Sequence, residues 1–298
     1  MVRNGVLLGL ICGGCSDYAV QNLTVEDVFT QDEPPPADVL FVVDDSASMI
    51  EEQANLAANF GSFVELLGDT TADYRIGVTT TDREDGGVLV GPVLDPDTAD
   101  VVTAFSAEVN VGTSGSRDEE GLATAALALR NDVNPDFIRA DSDAHVVFVS
   151  DEDDHSPEEV DRYVDSLRSS SGSGTLTAHA LVGDEPAGCL SGESAADAGL
   201  RYLQVARSTG GLSESICAPD YGVVLEALGL AVSGWNPLFP LSELPAEPTL
   251  AVWVDGVAMP NRDDDGWQYS IGDNAVVFAG RAIPRPGMKV RVTYQRGS

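Results

Sequence analysis

Three oxygen-bearing side chains at alternate positions form the pattern in this sequence that is best suited to chemistry. Asp44, Ser46 and Ser48 follow the spacing Asp-x-Ser-x-Ser. A carboxylate and two hydroxyl groups are hard oxygen ligands, the type that Mg²⁺, Mn²⁺ and Ca²⁺ prefer. Asp and Ser also cap helix N-termini, so the pattern alone leaves a helix cap as the open alternative.

The pattern directly follows a segment that has the composition of a buried strand. Residues 39–43 are five apolar residues in succession, which is typical of a strand covered on both faces. A second apolar run, 146–149, is soon followed by a carboxylate, that of Asp151. Ligands of open α/β sheets bind outside the carboxyl ends of the strands. We therefore expect Asp44 and Asp151 to face one crevice, which favours a metal site over a helix cap.

Strand and helix patterns alternate over residues 37–234, and this alternation predicts one large α/β domain. Residues 235–248 are rich in proline and are predicted to form a linker. Four β-rich runs with turn dipeptides between them predict a small, sandwich-like module over 249–298. The predicted fold is therefore a doubly wound, Rossmann-like sheet flanked by helices, followed by a small all-β module.

The first 15 residues have the pattern of an export signal. A positive residue precedes the apolar run 6–12, which is far shorter than the about 20 residues that span a bilayer. Small residues then precede Cys15. Residues 1–15 thus resemble a bacterial lipoprotein signal, although Cys12 stands where that pattern usually has leucine. The resemblance implies a lipid anchor on Cys15 in the cell envelope, and the following Ser16 implies the outer membrane.

The segment after Cys15 is predicted to be a tether. Residues 16–36 are polar and acidic and end in three prolines, which form a stiff spacer. Within this segment, residues 25–30 could add one short edge strand. We therefore expect the tether to separate the membrane anchor from the α/β domain.

The charge of the chain limits its partners. Asp and Glu number 49 against 16 Lys and Arg, which gives a formal charge of −33. A surface this acidic repels nucleic acid at long range and attracts divalent cations. The sequence therefore predicts no nucleic-acid partner. Adaptation to salt would produce the same bias, so the charge alone does not assign a function.

Two of the four cysteines, Cys189 and Cys217, lie in the predicted α/β domain. Export would place them in an oxidising compartment, where such a pair is expected to form a disulfide. Two unpaired, buried thiols remain the alternative at this stage.

Three segments together resemble a von Willebrand factor type A domain. They are Phe-Val-Val-Asp-Asp-Ser-Ala-Ser-Met at 41–49, Tyr-Arg-Ile-Gly-Val-Thr-Thr-Thr-Asp at 74–82, and Val-Val-Phe-Val-Ser-Asp-Glu-Asp-Asp at 146–154. The resemblance covers about residues 37–234. It implies a metal-ion-dependent adhesion site in which the cation keeps one position open for an acidic residue of a partner protein.

The resemblance also implies which residues hold the cation. Asp44, Ser46 and Ser48 match the first element of the family's site, and Asp151 matches its downstream aspartate. In the family the two hydroxyls bind the cation directly, and the carboxylates act largely through water. The implied cation is Mg²⁺, with Ca²⁺ or Mn²⁺ as alternatives.

The family's remaining ligand is a threonine in the loop before the middle helix, and here the sequence departs from the pattern. Thr113 is the threonine of the loop 112–120, but it lies further from the helix than the pattern expects. Asp118 falls nearer the expected register and would shift the preference toward Ca²⁺. We predict Thr113 as the ligand and keep Asp118 as the alternative.

The other acidic residues beside the site are expected to be solvated. Asp45, Asp153 and Asp154 are predicted to form an exposed acidic rim rather than to take part in cation binding. This expectation follows from the usual exposure of carboxylates in polar loops.

The spacing of the cysteines also resembles a bacterial subgroup of exported type A domain proteins. In that subgroup a cysteine pair flanks an Arg-Tyr helix and a Thr-Gly-Gly element, here Arg201-Tyr202 and 209–211. Cys189 and Cys217 stand where those cysteines do. The resemblance implies a disulfide that ties the last helix-turn unit to the domain.

The sequence favours a binding protein over an enzyme. It contains no Gly-x-Ser-x-Gly, His-Glu-x-x-His or Gly-x-x-x-x-Gly-Lys motif and only three histidines. The predicted function is a lipid-anchored module that binds an Asp or Glu of a partner protein through a cation. Two alternatives stay open: an assembly subunit of an envelope complex with a purely structural metal, and a metal-dependent hydrolase.

Overall fold

The computed structural model describes residues 24–69, 73–116, 118–172, 174–191 and 194–297. The predicted signal sequence 1–15, the predicted lipidation site Cys15 and the first part of the predicted tether lie outside these residues. The chain divides into two compact units. Of the described residues, one unit comprises those of Thr30–Asn236 and Ile283–Met288, and the other comprises 24–29, Pro237–Ala282 and 289–297.

The described residues form short strands and six helices. The strands are β1 Thr24–Thr30, β2 Ala37–Val43, β3 Tyr74–Thr80, β4 Asp143–Ser150, β5 Leu176–Val182, β6 Cys189–Ser191, β7 Ser194–Ala196, β8 Ser213–Ser215, β9 Leu238–Pro240, β10 Ala251–Val254, β11 Val257–Ala258, β12 Trp267–Ser270, β13 Ala275–Phe278 and β14 Lys289–Gln295. The helices are α1 Ile50–Asp69, α2 Val101–Val109, α3 Gly121–Ala128, α4 Val160–Ser170, α5 Leu200–Thr209 and α6 Tyr221–Val232. None of the helices in this part of the chain has the length and apolar character needed to cross a bilayer.

The larger unit is built on a parallel sheet in the order β3-β2-β4-β5-β8. Strand β2 lies between β3 and β4, and all seven of its residues are buried. A strand that is covered on both faces must be apolar throughout, which explains the run at 39–43. The predicted doubly wound α/β fold is confirmed.

Alternate residues of β2 supply two separate hydrophobic cores. Phe41 lies in the core that contains buried residues of α1, α2 and α6, whereas Leu40 and Val42 lie in the core of α3, α4 and α5. The period of two residues along a strand sends neighbouring side chains to opposite faces of the sheet. Helices therefore cover both faces, and the strand ends lie between the two helical layers, the part of such sheets at which ligands bind.

The smaller unit is all-β, as the sequence predicts. One sheet has the order β1-β14-β10-β11 and a second has the order β12-β13-β9. The pairings β10–β14 and β12–β13 are antiparallel. Its strands alternate buried and less buried residues, as in β14, where Val290, Val292 and Tyr294 are buried. This alternation is typical of sheets with one face in a core.

Parts of two predicted connecting segments belong to the all-β unit. The segment 16–36 was expected to be a tether, but its residues 24–30 form β1, the edge strand whose possibility the sequence left open. The segment 235–248 was expected to be a linker, but β9 within it pairs with β13. The ring centroids of Phe29 and Phe239 lie 5.4 Å apart, so apolar contacts between these two segments explain why neither is a free connection.

Candidate metal centre

Three adjacent strands end at the same edge of the parallel sheet. Val43 at the end of β2 pairs with Thr80 of β3 on one side and with Val149 of β4 on the other. The next residues along the three strands therefore meet at one place. The backbone N–H of Thr81 donates to the carbonyl oxygen of Val43 at 3.2 Å, and that of Asp44 donates to the carbonyl oxygen of Val149 at 2.9 Å.

Asp44 lies at the centre of this edge and is fully buried. Its Oδ1 accepts a hydrogen bond from the backbone N–H of Ser46 at 2.7 Å, and its Oδ2 accepts one from Oγ of Ser150 at 2.6 Å. A buried carboxylate needs such partners because its desolvation is costly. These two hydrogen bonds fix the orientation of the carboxylate between β2 and β4.

The hydroxyl groups of Ser46 and Ser48 point to the same place. Their Oγ atoms lie 3.1 Å apart, and Ser48 also hydrogen-bonds the side chain of Asp151. Ser46 precedes the short 3-10 helix Ala47–Met49, but its side chain makes no capping hydrogen bond. The helix-cap explanation of the Asp-x-Ser-x-Ser pattern is therefore wrong for Ser46, whose hydroxyl faces Ser48 instead.

Asp151 completes the arrangement from the end of β4. It is 4% exposed, and its Oδ1 makes no hydrogen bond to any described residue. A buried carboxylate oxygen without a partner is expensive unless a cation, water or ligand satisfies it. The structure thus brings together Asp44, Ser46, Ser48 and Asp151, four of the five residues that the sequence placed in the metal site.

The loop before α3 contributes Glu119, which the sequence analysis did not select. Glu119 is fully buried, and its Oε2 accepts a hydrogen bond from Oγ1 of Thr81. Its Oε1 makes no hydrogen bond within the described part of the chain. Burial, followed by the negative charge of Asp44, raises the pKa of Glu119 to about 8. Glu119 therefore lies within electrostatic range of the central aspartate.

The two residues proposed from the sequence for this position differ from each other in exposure. Thr113 is half-buried, and Asp118 is exposed and lies close enough to Glu152 to act on it electrostatically. The loop itself does approach the site, because Nε2 of Gln53 donates both to the carbonyl oxygen of Asp44 at 2.9 Å and to that of Gly112 at 2.8 Å. Gln53 was also missed, although a polar residue on the apolar face of α1 is an unusual signal.

The expected exposed acidic rim is wrong for two of its three members. Asp45 is 7% exposed and Asp154 is 3% exposed. Oδ1 of Asp154 accepts from the backbone N–H of Leu122 at 3.0 Å, in the first turn of α3, and its Oδ2 accepts from Nε of Arg201 at 2.8 Å. Asp154 thus caps the middle helix, which explains its burial; Asp153 is half-buried.

The chain from β5 to α6 is fixed by a disulfide and a close turn. Cys189 and Cys217 are joined in a disulfide, the pairing that the resemblance implied. Helix α5 ends at Thr209, whose Oγ1 accepts from the backbone N–H of Ala178 at 2.8 Å. A Cβ atom on Gly211 would lie 1.8 Å from the carbonyl oxygen of Ala178, so only glycine fits there.

The site carboxylates make the cation-free protein sensitive to pH. Burial raises the pKa of Asp45 to about 6 and that of Asp151 to about 7, and Glu119 reaches about 8. These values exceed those of the unfolded chain, so the folded state binds more protons. The free energy of unfolding is therefore highest when these groups are protonated, and it falls as the pH rises through their folded-state pKa values.

We expect the melting temperature in EDTA to fall between pH 6.5 and about pH 8. The corresponding loss in the free energy of unfolding is at most about 1.4 kcal/mol per pH unit for each group. Burial lowers the pKa of His145 to about 4 and that of His179 to about 3, so both stay neutral in this range. A divalent cation should reduce the fall because it stabilises the ionised carboxylates. Thermal melts with and without Mg²⁺ test this, and equal slopes would contradict it.

The chemistry of the site fits a hard divalent cation. In the described part of the chain, no three carboxylate, imidazole or thiol groups converge closely enough to form a metal site by themselves. A cation here must therefore also use the hydroxyls of Ser46 and Ser48. Oxygen donors of this kind suit Mg²⁺, Mn²⁺ or Ca²⁺. The unsatisfied buried oxygens of Asp151 and Glu119 are the observation that supports the fit.

No protein-family model matches the sequence, and no curated protein matches it. Solved structures do resemble the fold. The pilus adhesin SpaC from Lactobacillus rhamnosus GG has a TM-score of 0.51 and 11% identity, and the match covers 91% of this chain and 41% of the adhesin. This chain thus spans less than half the length of that protein.

Two further structures match at lower TM-scores. A von Willebrand factor type A protein from Catenulispora acidiphila has a TM-score of 0.40 at 13% identity. The match covers 92% of this chain and 65% of that protein. Proximal thread matrix protein 1 from the mussel byssus, described with a zinc-occupied MIDAS motif, has a TM-score of 0.42 at 14% identity, with coverage of 70% and 48%. At such identities a likeness concerns the fold alone.

Three features identify the fold: the sheet order, the helices on both sheet faces, and the acidic residues that follow β2 and β4 at one edge. The larger unit has the fold of a von Willebrand factor type A domain, and an all-β unit accompanies it in the same chain.

Proposed function

We propose that this chain is a cation-dependent protein-binding module of the adhesion type. The observation that carries the proposal is the meeting of Asp44, Ser46, Ser48 and Asp151 at one sheet edge. A divalent cation bound there would supply a positive centre that accepts a carboxylate. The partner is proposed to be a protein that offers an Asp or Glu side chain.

The residues of the site have distinct proposed roles. Ser46 and Ser48 offer hydroxyl oxygens directly, while Asp44 and Asp151 supply negative charge and orient the coordinated water. Gln53 connects the backbone of Asp44 to the loop at Gly112, so that the first and middle loops stay together. The fold likeness to a pilus adhesin supports a binding role rather than catalysis.

The proposal includes an envelope location. The sequence pattern around Cys15 supports a lipid anchor, and the strong negative charge of −33 argues against direct attraction to anionic membrane surfaces. We propose that the lipid on Cys15, rather than the protein surface, attaches the chain to the membrane. Export to an envelope compartment also agrees with the Cys189–Cys217 disulfide, because disulfides persist in oxidising compartments.

Removal of the cation tests the proposal. The immobilised protein is incubated with an envelope extract of the organism that encodes it, in Mg²⁺ or in EDTA, and captured proteins are identified by mass spectrometry. We expect a specific partner in Mg²⁺ that EDTA abolishes, because its carboxylate would bind the cation. The change Asp44→Asn is the matched negative control.

The melting temperature separates this function from its alternatives. If EDTA abolishes capture but leaves cooperative folding intact, the cation acts in recognition. If EDTA unfolds the protein near room temperature, the metal is structural. Identical captured sets in Mg²⁺ and EDTA would contradict the binding proposal. Turnover of an ester or phosphoester that Asp44→Asn removes would favour a hydrolase instead.

A further inference from the structure

Glu119 occupies a position at which three loops of the site meet. Its Oε2 accepts a hydrogen bond from Thr81, which directly follows β3. Thr81 in turn donates its backbone N–H to Val43, the residue before Asp44, at 3.2 Å. The backbone carbonyl of Glu119 accepts from the N–H of His155 at 2.6 Å, in the loop after β4. Glu119 is therefore held by hydrogen bonds from the loops after β3 and β4, and Thr81 links it to the end of β2.

The carboxylate of Glu119 is only half satisfied by the protein. It is fully buried, yet its Oε1 makes no hydrogen bond to a described residue. Leaving a buried acceptor without a partner is unfavourable, and more so when the group is charged. The negative charges of Asp44 and Asp45 act on it as well. A second unsatisfied carboxylate oxygen, Oδ1 of Asp151, lies in the same site. A cation bound near Asp44, with its coordinated water, would offset the repulsion and offer these oxygens a partner.

On the basis of the proposed cation site, we infer that Glu119 is its third anionic group, acting beside Asp44 and Asp151. Thr81 fixes one oxygen of the carboxylate and leaves the other for the cation or its bound water. Since no three carboxylates of the described residues converge closely enough to hold a cation by themselves, Glu119 acts through cation-bound water, as an added negative charge near Asp44. A higher ligand charge and a side chain longer than threonine favour Ca²⁺, whose coordination is larger and more flexible than that of Mg²⁺.

Isothermal titration of the isolated protein with CaCl₂ and with MgCl₂ tests the inference. Glu119→Gln keeps the size of the side chain and an acceptor for Thr81 but removes the charge. We expect it to weaken Ca²⁺ binding by about tenfold or more, and to weaken Mg²⁺ binding less. Glu119→Thr should shift the preference further toward Mg²⁺. Asp118→Asn removes the same charge from an exposed neighbour and should bind both cations as the wild type does.

The outcomes separate this inference from the proposed function. A wild-type Ca²⁺ affinity in Glu119→Gln, or an equal loss in Asp118→Asn, would overturn the role of Glu119 even if Asp44→Asn still abolished binding. A Glu119-dependent Ca²⁺ affinity would support it even if no partner were captured. The melting temperature in EDTA guards against misfolding, since Glu119→Gln should melt cooperatively and no lower than the wild type. A lower value would assign Glu119 a structural role and overturn the inference.

Discussion

Asp44→Asn will abolish most of the stabilisation that Mg²⁺ or Ca²⁺ gives to the folded protein. A ligand at 100 times its Kd stabilises a protein by about 2.7 kcal/mol. A loss of affinity of about 100-fold would reduce that gain to less than about 0.5 kcal/mol at the same concentration. Asp44 is the fully buried carboxylate at the centre of the site, so its charge acts at short range in a low dielectric.

Asparagine is the right replacement because it preserves the local hydrogen bonds. Its amide oxygen can accept from the N–H of Ser46, and its amide nitrogen can donate to Oγ of Ser150. The loss is therefore one of charge and not of geometry. Thermal melts over a series of cation concentrations measure the effect. Glu65→Gln, on the exposed face of α1, removes the same charge elsewhere and should respond to the cation like the wild type. An undiminished response of Asp44→Asn would rule out this site.

Arg201→Ala will lower the free energy of unfolding by about 3–5 kcal/mol, since removing one partner of a buried ion pair leaves the other charge uncompensated. Nε of Arg201 lies 2.8 Å from Oδ2 of Asp154, which is 3% exposed. The guanidinium also donates to the carbonyl oxygens of Ser156 at 3.0 Å and Glu158 at 2.7 Å. Burial already raises the pKa of Asp154, and the hydrogen bond from Arg201 opposes this shift. Removal of the arginine would therefore destabilise the ionised carboxylate of Asp154 further.

A second arginine on the same helix provides the control. Arg207 pairs with Glu185, and both side chains are about half exposed. Because exposed ion pairs contribute little, Arg207→Ala should unfold at nearly the wild-type denaturant concentration. Urea unfolding of both variants measures the contrast, and a similar loss in the two would contradict the buried role of Arg201. Arg201→Ala should also weaken cation binding, because Asp154 caps α3 directly after the loop of Glu119.

Much of the fold and part of the site follow from the local pattern of the sequence. The apolar run 39–43 requires a strand that is covered on both faces, and the structure places β2 between β3 and β4. Oxygen-bearing residues that directly follow such strands must lie at the sheet edge, so Asp44 and Asp151 meet as expected. The edge strand at 25–30 was also foreseen, but its partner β14 lies more than 250 residues away along the chain, and no local pattern reveals such a pairing.

The third anionic group illustrates what the sequence could not give. The loop 112–120 contains several oxygen-bearing residues, and spacing alone does not tell which of them turns inward. Asp118 points to solvent and the adjacent Glu119 is fully buried, a difference made by two contacts from other loops. These are the hydrogen bond from Thr81 and the one from His155. Both partners are distant in sequence, so burial here is a property of the assembled sheet edge.

The sequence by itself determined the α/β architecture, the all-β unit, and the two strand ends at which carboxylates meet. The period of apolar residues and the polar residues at which a strand ends are local properties of the sequence. They can be recognised without knowing which elements pack against the strand. Only the tertiary structure decided that Glu119 is buried beside Thr81, that Asp154 caps α3 and pairs with Arg201, and that Asp45 is buried. Acidic side chains are equally compatible with solvent and with a buried partner, and the choice depends on which groups the fold brings within hydrogen-bond reach.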